Sequence, residues 1–451
     1  MNIHSKFPTD DRDLRLHLFL GVANWSIFLD HIPNDVVNLI TARNYGFSGA
    51  ADLFIFITGY TAFAYFAKMM NERGVIIGTT RIFKRAWQLY AAYLVLFVAY
   101  IALISYVAGQ YSAPDIINDF NLAGWIDHPI RILAHGLFLQ SKPLNLDVLQ
   151  LYTLLTLCLA PVVWLMLRLP NLTMIGSVAL YAAARQFEWN LSSYPDGDWY
   201  FNPFCWQLLF VFGGWLALGG ARRFRWALKS RLVLDLGLAY LMFALVITLA
   251  RRFPELGNLF PPSLLDTFNP DGKVNLAPYR LLHFVVVVFM VTRFVPKDAR
   301  WLKWPVFDPL IKCGEQSLAV FCIAVFLSFI GHIALTLSFG SLMAQVMVSL
   351  GGIAILTLVA YYISWSKRQD AWKDVAVSPM AVSAEYGVGQ PQRQDRHIGD
   401  DGKHDQKQDQ KRQDAADHLA DRRRRNGREH EQIEADRRMN QPDLHVVGED
   451  N

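Results

Sequence analysis

The chain is short of charge. Only 18% of its 451 residues are Asp, Glu, Lys or Arg, where an average soluble domain carries about 25%. The deficit is uneven. Residues 366–451 hold 16 Lys/Arg and 18 Asp/Glu, and the first 365 residues hold the other 48 charges. A long apolar body therefore precedes a polar tail, which excludes a single soluble globule and a fully disordered chain alike. Excess charge of one sign is also scarce. The formal net charge is +4, which gives no case for a nucleic-acid partner. Cysteine is rare: Cys158, Cys205, Cys313 and Cys322 all lie inside apolar runs with no CxxC, so neither a disulfide framework nor a zinc site is expected. The sequence also lacks a P-loop, a GxSxG elbow, a dinucleotide fingerprint and the His-Glu-x-x-His of zinc helices. No metal and no tightly bound cofactor are expected. Any chemistry must come from dispersed residues.

What is present is long hydrophobic runs. A membrane helix needs about 20 mainly apolar residues. About ten such runs can be read, over 15–32, 47–69, 86–108, 146–167, 170–186, 202–219, 232–250, 279–295, 310–335 and 341–365. The segment 128–139 is apolar but too short to span, and reads as an interfacial or re-entrant helix. The first run follows Asp10, Asp11, Arg12, Asp13 and Arg15 with no small-residue cleavage site after it, so it reads as a span rather than a cleavable signal. With the N-terminus inside, the inner segments carry 17 Lys/Arg and the outer ones seven. That bias supports cytoplasmic termini at both ends of a ten-span bundle. The expected class is all-α: a polytopic membrane helix bundle of about 10 transmembrane helices. A cytoplasmic N-terminus covers 1–14, the membrane domain 15–365 and a disordered charged tail 366–451.

Ionisable groups inside spans are costly, about 2.5–3.5 kcal/mol each on insertion scales, and mark function. On the orientation above, five spans carry polar residues at one level of their outer halves. Span 1 ends in Asp30 and His31, and span 2 opens near Asp52. Span 4 opens with Asp147 and Tyr152, span 6 with Asn202, Trp206 and Gln207, and span 8 with Arg280 and His283. Structural polar residues scattered at random would not share a depth, so a single water-accessible site is expected there. Asp30 and His31, adjacent on a helix, point about 100° apart. Asp52 is the expected partner of His31, holding one ring nitrogen and leaving the other as a general base. On the inner side, Arg81 and Arg85 open span 3 while Glu315 and Ser317 open span 9. The basic pair suits the phosphates of a cytosolic donor, because arginine forks match phosphate oxygens.

Several stretches carry a family likeness. RDLRLHLFLGVANWSIFLDHIP, GFSGAADLFIFITGY, LDVLQLYTLL, FNPFCWQLLFVFGGW, YRLLHF and CGEQSLAVF follow one another through the body. Together they resemble the OpgC family, within the wider acyltransferase-3-like membrane enzymes. The resemblance implies about ten spans in a bacterial inner membrane, and transfer of a succinyl or other short acyl group to periplasmic glucan hydroxyls. The implied donor is succinyl-CoA or acetyl-CoA. The implied partners are that acyl-CoA, the glucan acceptor and the lipid bilayer. The wider group places an Arg, ten residues and then a His on span 1. His31 fits the His, whereas Leu20 stands at the Arg position.

On this reading His31, positioned by Asp52 or Asp30, takes the proton of a sugar hydroxyl. Asn202, Gln207 or Arg280 stabilises the oxyanion, and Arg280 or Arg43 meets a succinyl carboxylate. The competing class is a polytopic transporter of a sugar or organic anion. No inverted repeat or pair of Gly/Pro-broken spans in matching positions supports it.

Overall fold

A computed structural model of the protein describes residues 13–385, apart from 111–127, 142–144, 195–196, 221, 223–224, 270–271, 298 and 339. The chain divides into Met1–Ala376 and Val377–Asn451. Of the second unit only residues 377–385 are described, as helix. The expectations for residues 1–12 and for the tail beyond 385 lie outside the described residues. Within them, however, the last helix runs on to Glu385, so residues 366–385 are helical rather than the start of a disordered tail.

Among the described residues the fold is helical, with two isolated β-bridges and no strand. The principal helices are α1 (Leu14–Asp30), α2 (Ala50–Arg73), α3 (Val75–Gln110), α4 (Pro129–Leu137), α5 (Asp147–Leu157), α6 (Leu159–Arg168) and α7 (Pro170–Gln186). They continue as α8 (Pro203–Ala217), α9 (Arg231–Arg252), α10 (Pro278–Phe294), α11 (Asp308–Glu315), α12 (Ser317–Leu337) and α13 (Leu342–Glu385). Their ends follow local chemistry. Asp13, Asn202 and Ser230 cap α1, α8 and α9 through side-chain oxygens, satisfying amides that have no helical partner. Proline occupies the first turn of α4, α7, α8 and α10, where its missing N–H costs nothing.

Five helices are long and apolar enough to cross a membrane: α2, α3 over Val75–Val107, α9, α12 over Ser317–Thr336, and α13 over Leu342–Gln369. The expected span over 146–167 is broken at Cys158 into α5 and α6, which meet at a 55° bend and make a sixth crossing if joined. The run at 310–335 is likewise split, at Gln316, into α11 and α12. Helices α1, α7 and α10 have 17 residues and α8 has 15, or roughly 23–26 Å against a hydrocarbon core of roughly 30 Å. Among the described residues, length and composition by themselves mark five crossings, or six with the bent pair counted as one span. The segment expected to be too short to span is the nine-residue α4. An apolar exterior, with Trp87, Val95, Val98, Leu358 and Tyr362 exposed, suits a lipid surround. These helices and this exterior suit a multi-pass membrane protein.

Helix α2 is the most enclosed of the five candidates, 61% buried over its apolar window against 22% for α9 and α13. It packs most extensively on α8, and α1 packs on α11. Glycine makes both approaches possible. A side chain at Gly59 or Gly213 would strike the backbone carbonyl of Phe210 or Phe56 across the α2–α8 seam. Gly21 and Gly314 stand in the same relation to Leu310 and His17 across α1–α11. Small residues let membrane helices gain backbone-to-backbone dispersion where lipid offers no hydrophobic contrast.

Candidate active site

The C-terminal end of α1 leads to the start of α2 through two short 3₁₀ turns, Val36–Ile40 and Ala42–Asn44. Asp35 caps the first, accepting from the amide of Val37 at 3.0 Å and from Ser349 Oγ on α13 at 2.6 Å. Asp30 accepts from Thr41 Oγ1 at 2.6 Å. His31 sits at the C-terminal cap of α1, with Nδ1 2.6 Å from the carbonyl oxygen of Ile27. A carbonyl can only accept, so Nδ1 carries the proton. In the neutral ring the lone pair is then on Nε2.

Asp52 does not partner His31. It stands at the third position of α2, where it accepts from the amide of Gly49 at 2.8 Å. The positive end of the helix favours a carboxylate there. Both carboxylate oxygens take the guanidinium of Arg280: Nε lies 2.9 Å from Oδ1 and Nη2 bonds Oδ2. Arg280 Nη1 also donates to the carbonyl of Phe47 at 2.7 Å. One turn on, His283 Nδ1 lies 2.8 Å from Ser48 Oγ, and its ring lies against Gly46 and Phe47. Residues 46–52 are thus gripped from α10 by Arg280 and His283. The expectation failed because the nearest charge to Asp52 is a cation from 228 residues away. A carboxylate accepting a two-pronged guanidinium bond is spent on it.

Two other expected site residues are structural joints. The amide of Asn202 donates to Trp189 O at 2.6 Å and Asn275 Oδ1 at 2.7 Å, while its oxygen caps α8 through Phe204 N. Gln207 donates to Ser177 O and Phe204 O and accepts from Ser177 Oγ. With these bonds made, neither amide is placed as an oxyanion donor. Tyr152 is a core ring against Phe54 and Phe210. Asp147 is half-buried at the start of α5, where its charge acts on Tyr93 and Tyr100.

Trp206 lies beside the buried ion pair. Its ring is 5.9 Å from the Arg280 guanidinium, and its Nε1 donates to the carbonyl of Lys273 at 2.8 Å. Arg43 donates from Nη1 to the backbone carbonyl of Asp30 at 3.2 Å. So Asp52, Trp206, Arg280 and His283 fall into one neighbourhood, and Thr41 and Arg43 tie Asp30 to the turns that lead from α1 into it. Sequence reading did not single out Thr41 or Lys273. Lys273 counted only as a loop charge, and the available signal was its place in the loop just before α10, which already carried candidates.

The residues expected to meet the donor are more dispersed. Arg81 is exposed, and the charge of Arg85 reaches Cys322 on α12. Glu315 is bonded by Lys312 at 2.8 Å. Ser317 O accepts from Asn24 Nδ2 at 3.5 Å. Asn24 is fully buried, and among the described residues no hydrogen-bond partner lies within reach of its Oδ1 or of Ser317 Oγ. Asn24 lies seven residues before His31, which puts it two turns below on the same side of α1. No group of three or more His, Cys, Asp or Glu among the described residues has metal-binding geometry.

Residues 12–368 match a family model described as OpgC protein. No curated protein and no solved structure matches the chain. The match covers well over half of the sequence: the chain belongs to the OpgC family and is an acyltransferase-like membrane protein.

Proposed function

From membership of the OpgC family, we propose that this protein is a membrane O-acyltransferase that moves a short acyl group, succinyl above all, from acyl-CoA to hydroxyls of periplasmic glucans. The observation that carries the reading is the Nδ1–Ile27 bond of His31. It fixes ring orientation and tautomer, which are what a general base requires.

His31 Nε2 takes the proton of the sugar hydroxyl. The oxygen attacks the thioester carbonyl, the tetrahedral adduct collapses, and the carbon–sulfur bond breaks. The leaving thiolate takes the proton back from the imidazolium, so His31 ends neutral. Asp52 and Arg280 act at one remove, by fixing residues 46–52 beside the loop that bears Arg43. Arg81 and Arg85 hold the donor's phosphates at the inner face. Asn24 and Ser317, with buried polar oxygens between that face and His31, offer hydrogen-bonding positions along the donor's path. The reading takes α1, α7, α8 and α10 as short crossings, giving ten spans in a bacterial inner membrane with both termini cytoplasmic.

The test is the mass and charge of periplasmic glucans from a strain lacking the protein, with the gene restored as wild type or as His31→Ala. Wild type restoring one acyl increment and its negative charge, with His31→Ala restoring neither, is the expected result. A mass change without a charge change would keep the enzyme and replace succinyl by acetyl. Glucans identical in all strains would remove the glucan acceptor, and normal acylation by His31→Ala would remove the base.

A further inference from the structure

Nucleophilic catalysis has a recognisable geometry, a hydroxyl within hydrogen-bond reach of a base. Ser48 and His283 form such a pair, and direct transfer leaves it without a chemical part. Ser48 Oγ lies 2.8 Å from His283 Nδ1, and both side chains are buried. With the ring proton on Nε2, the hydroxyl donates and Nδ1 is the base. The ring is held in place. It lies 5.8 Å from the Phe47 ring, edge to face, and against Gly46, where an added side chain would strike it. One turn back, Arg280 fixes α10 to Asp52 and to the carbonyl of Phe47.

The backbone around Ser48 suits a nucleophile. Gly46, Ser48 and Ala50 keep the spacing of a GxSxG elbow with alanine in the last place, and a helix follows at once, since α2 begins at Ala50. Gly49 caps that helix without a side chain to cover the first-turn amides. Amides at the positive end of a helix suit the oxyanion that forms when a carbonyl beside Ser48 is attacked. The pair also adjoins the turn next to His31. A side chain added at Gly49 would lie 3.4 Å from Arg43 Cβ, and the Arg43 guanidinium donates to the carbonyl of Asp30. Gly49 is half-buried and Arg43 exposed, so the surface is one residue away from Ser48.

Resting on the acyltransferase reading, we infer that Ser48 is a nucleophile activated by His283, and that the acyl group passes through an ester on Ser48 before it reaches the acceptor. In the first half, Nδ1 takes the Oγ proton and Oγ attacks the thioester carbonyl. The carbon–sulfur bond breaks, the thiolate leaves, and His283 keeps the proton. In the second half, His31 takes the proton of the acceptor hydroxyl, whose oxygen attacks the Ser48 ester. The bond between the acyl carbon and Oγ breaks, and His283 returns its proton to Oγ. His31 releases its proton to solvent, which protonates the thiolate. The products are those of direct transfer, reached in two steps. Burial shields the ester from water, which a stored acyl group requires.

The test uses the full-length protein in lipid nanodiscs with succinyl-CoA and no acceptor. Wild type should release a burst of CoA, exchange labelled CoA into the donor, and carry one acyl increment on the peptide containing Ser48 after a rapid acid quench. Ser48→Ala should lose the burst, the exchange and the increment, with a melting temperature near wild type. Ser48→Cys should form an adduct that neutral hydroxylamine cleaves, as thioesters are cleaved and oxygen esters resist; a merely structural serine would give no such change. His283→Gln should slow the exchange by about 10²- to 10⁴-fold. His31→Ala should keep the exchange and the increment, and fail only at transfer to an added glucan.

Three results would overturn the relay and leave direct transfer standing: a wild type that acylates glucan with no exchange and no adduct, an adduct on another residue, or Ser48→Ala transferring at the wild-type rate. If Ser48→Ala proves unstable, Ser48→Cys decides, and the absence of its hydroxylamine-labile adduct would overturn the relay. A wild type that neither exchanges CoA nor acylates any glucan would bring down the acyltransferase reading itself and the relay with it.

Discussion

Two ion pairs tie the first two helices to the chain that runs through α10, and they differ in kind. At the start of α1, Asp13 bonds Arg15 at 2.8 Å, Lys297 approaches Asp13 at 3.9 Å, and Arg15 reaches the carbonyl of Val295. At the start of α2, Asp52 and Arg280 face each other. The side chains of the first pair keep 15% and 11% of their surface in contact with solvent, those of the second 4% and 0%. The first pair keeps solvent contact and is screened by it. The second has given up its hydration, so either charge without the other would stand uncompensated in a low-dielectric interior. The start of α1 is held more by shape, through the Gly314–His17 approach, and the start of α2 by charge.

The largest effect should come from breaking the Asp52–Arg280 pair. Arg280→Gln or Asp52→Asn alone should cost about 3–5 kcal/mol, read as a drop in the detergent melting temperature. Asp52→Leu with Arg280→Met should recover much of that stability and none of the transfer activity, since the grip on residues 46–49 is gone. A double variant no more stable than either single one would show that the pair's burial is not what makes it critical. His31→Ala should leave the melting temperature near wild type and lower kcat by about 10²- to 10⁴-fold, the usual range for a general base. A matching loss of stability would make His31 a structural cap instead.

Gly314→Val tests the start of α1. Forcing a side chain into the α1–α11 contact should cost about 1–3 kcal/mol, more than removing any charge there. Asp13→Asn should cost about 1 kcal/mol or less and should matter less in high salt. Burial pushes the Asp13 carboxyl up, but the hydrogen bonds and charge of Arg15, with the charge of Lys297, outweigh it and hold the carboxyl below its ordinary 3.8. A carboxyl lowered by folding contributes stability above that ordinary value and loses it as pH falls through the lowered one. The wild-type advantage over Asp13→Asn should therefore be full at neutral pH and vanish on strong acidification. An advantage that persists in acid would assign it to packing.

Much of this was legible from local pattern. The helix over 170–186 has the expected bounds, and those over 232–250 and 279–295 differ by one or two residues. An apolar run between a proline or cap and a polar loop fixes its own limits. The break at Cys158 was passed over although Pro161 marks it: proline has no N–H for the carbonyl of Leu157, four residues back, so a continuous helix is interrupted there. The level of the site was legible too. Asp30, His31, Asp52, Trp206, Arg280 and His283 lie at ends of helices that alternate in direction, and a run of spans places such ends together whatever their packing.

The sequence by itself determined an all-helical membrane protein and where several of its helices begin and end. Hydrophobic runs, caps and family blocks act within a few residues, or survive as text. Only the tertiary structure decided who pairs with whom: Asp52 with Arg280 across 228 positions, His31 with its own helix, and Arg43 with the backbone of Asp30. A carboxylate binds whichever cation packing brings within reach. Packing here is set by glycine-lined seams between helices far apart in the chain, which no local pattern encodes.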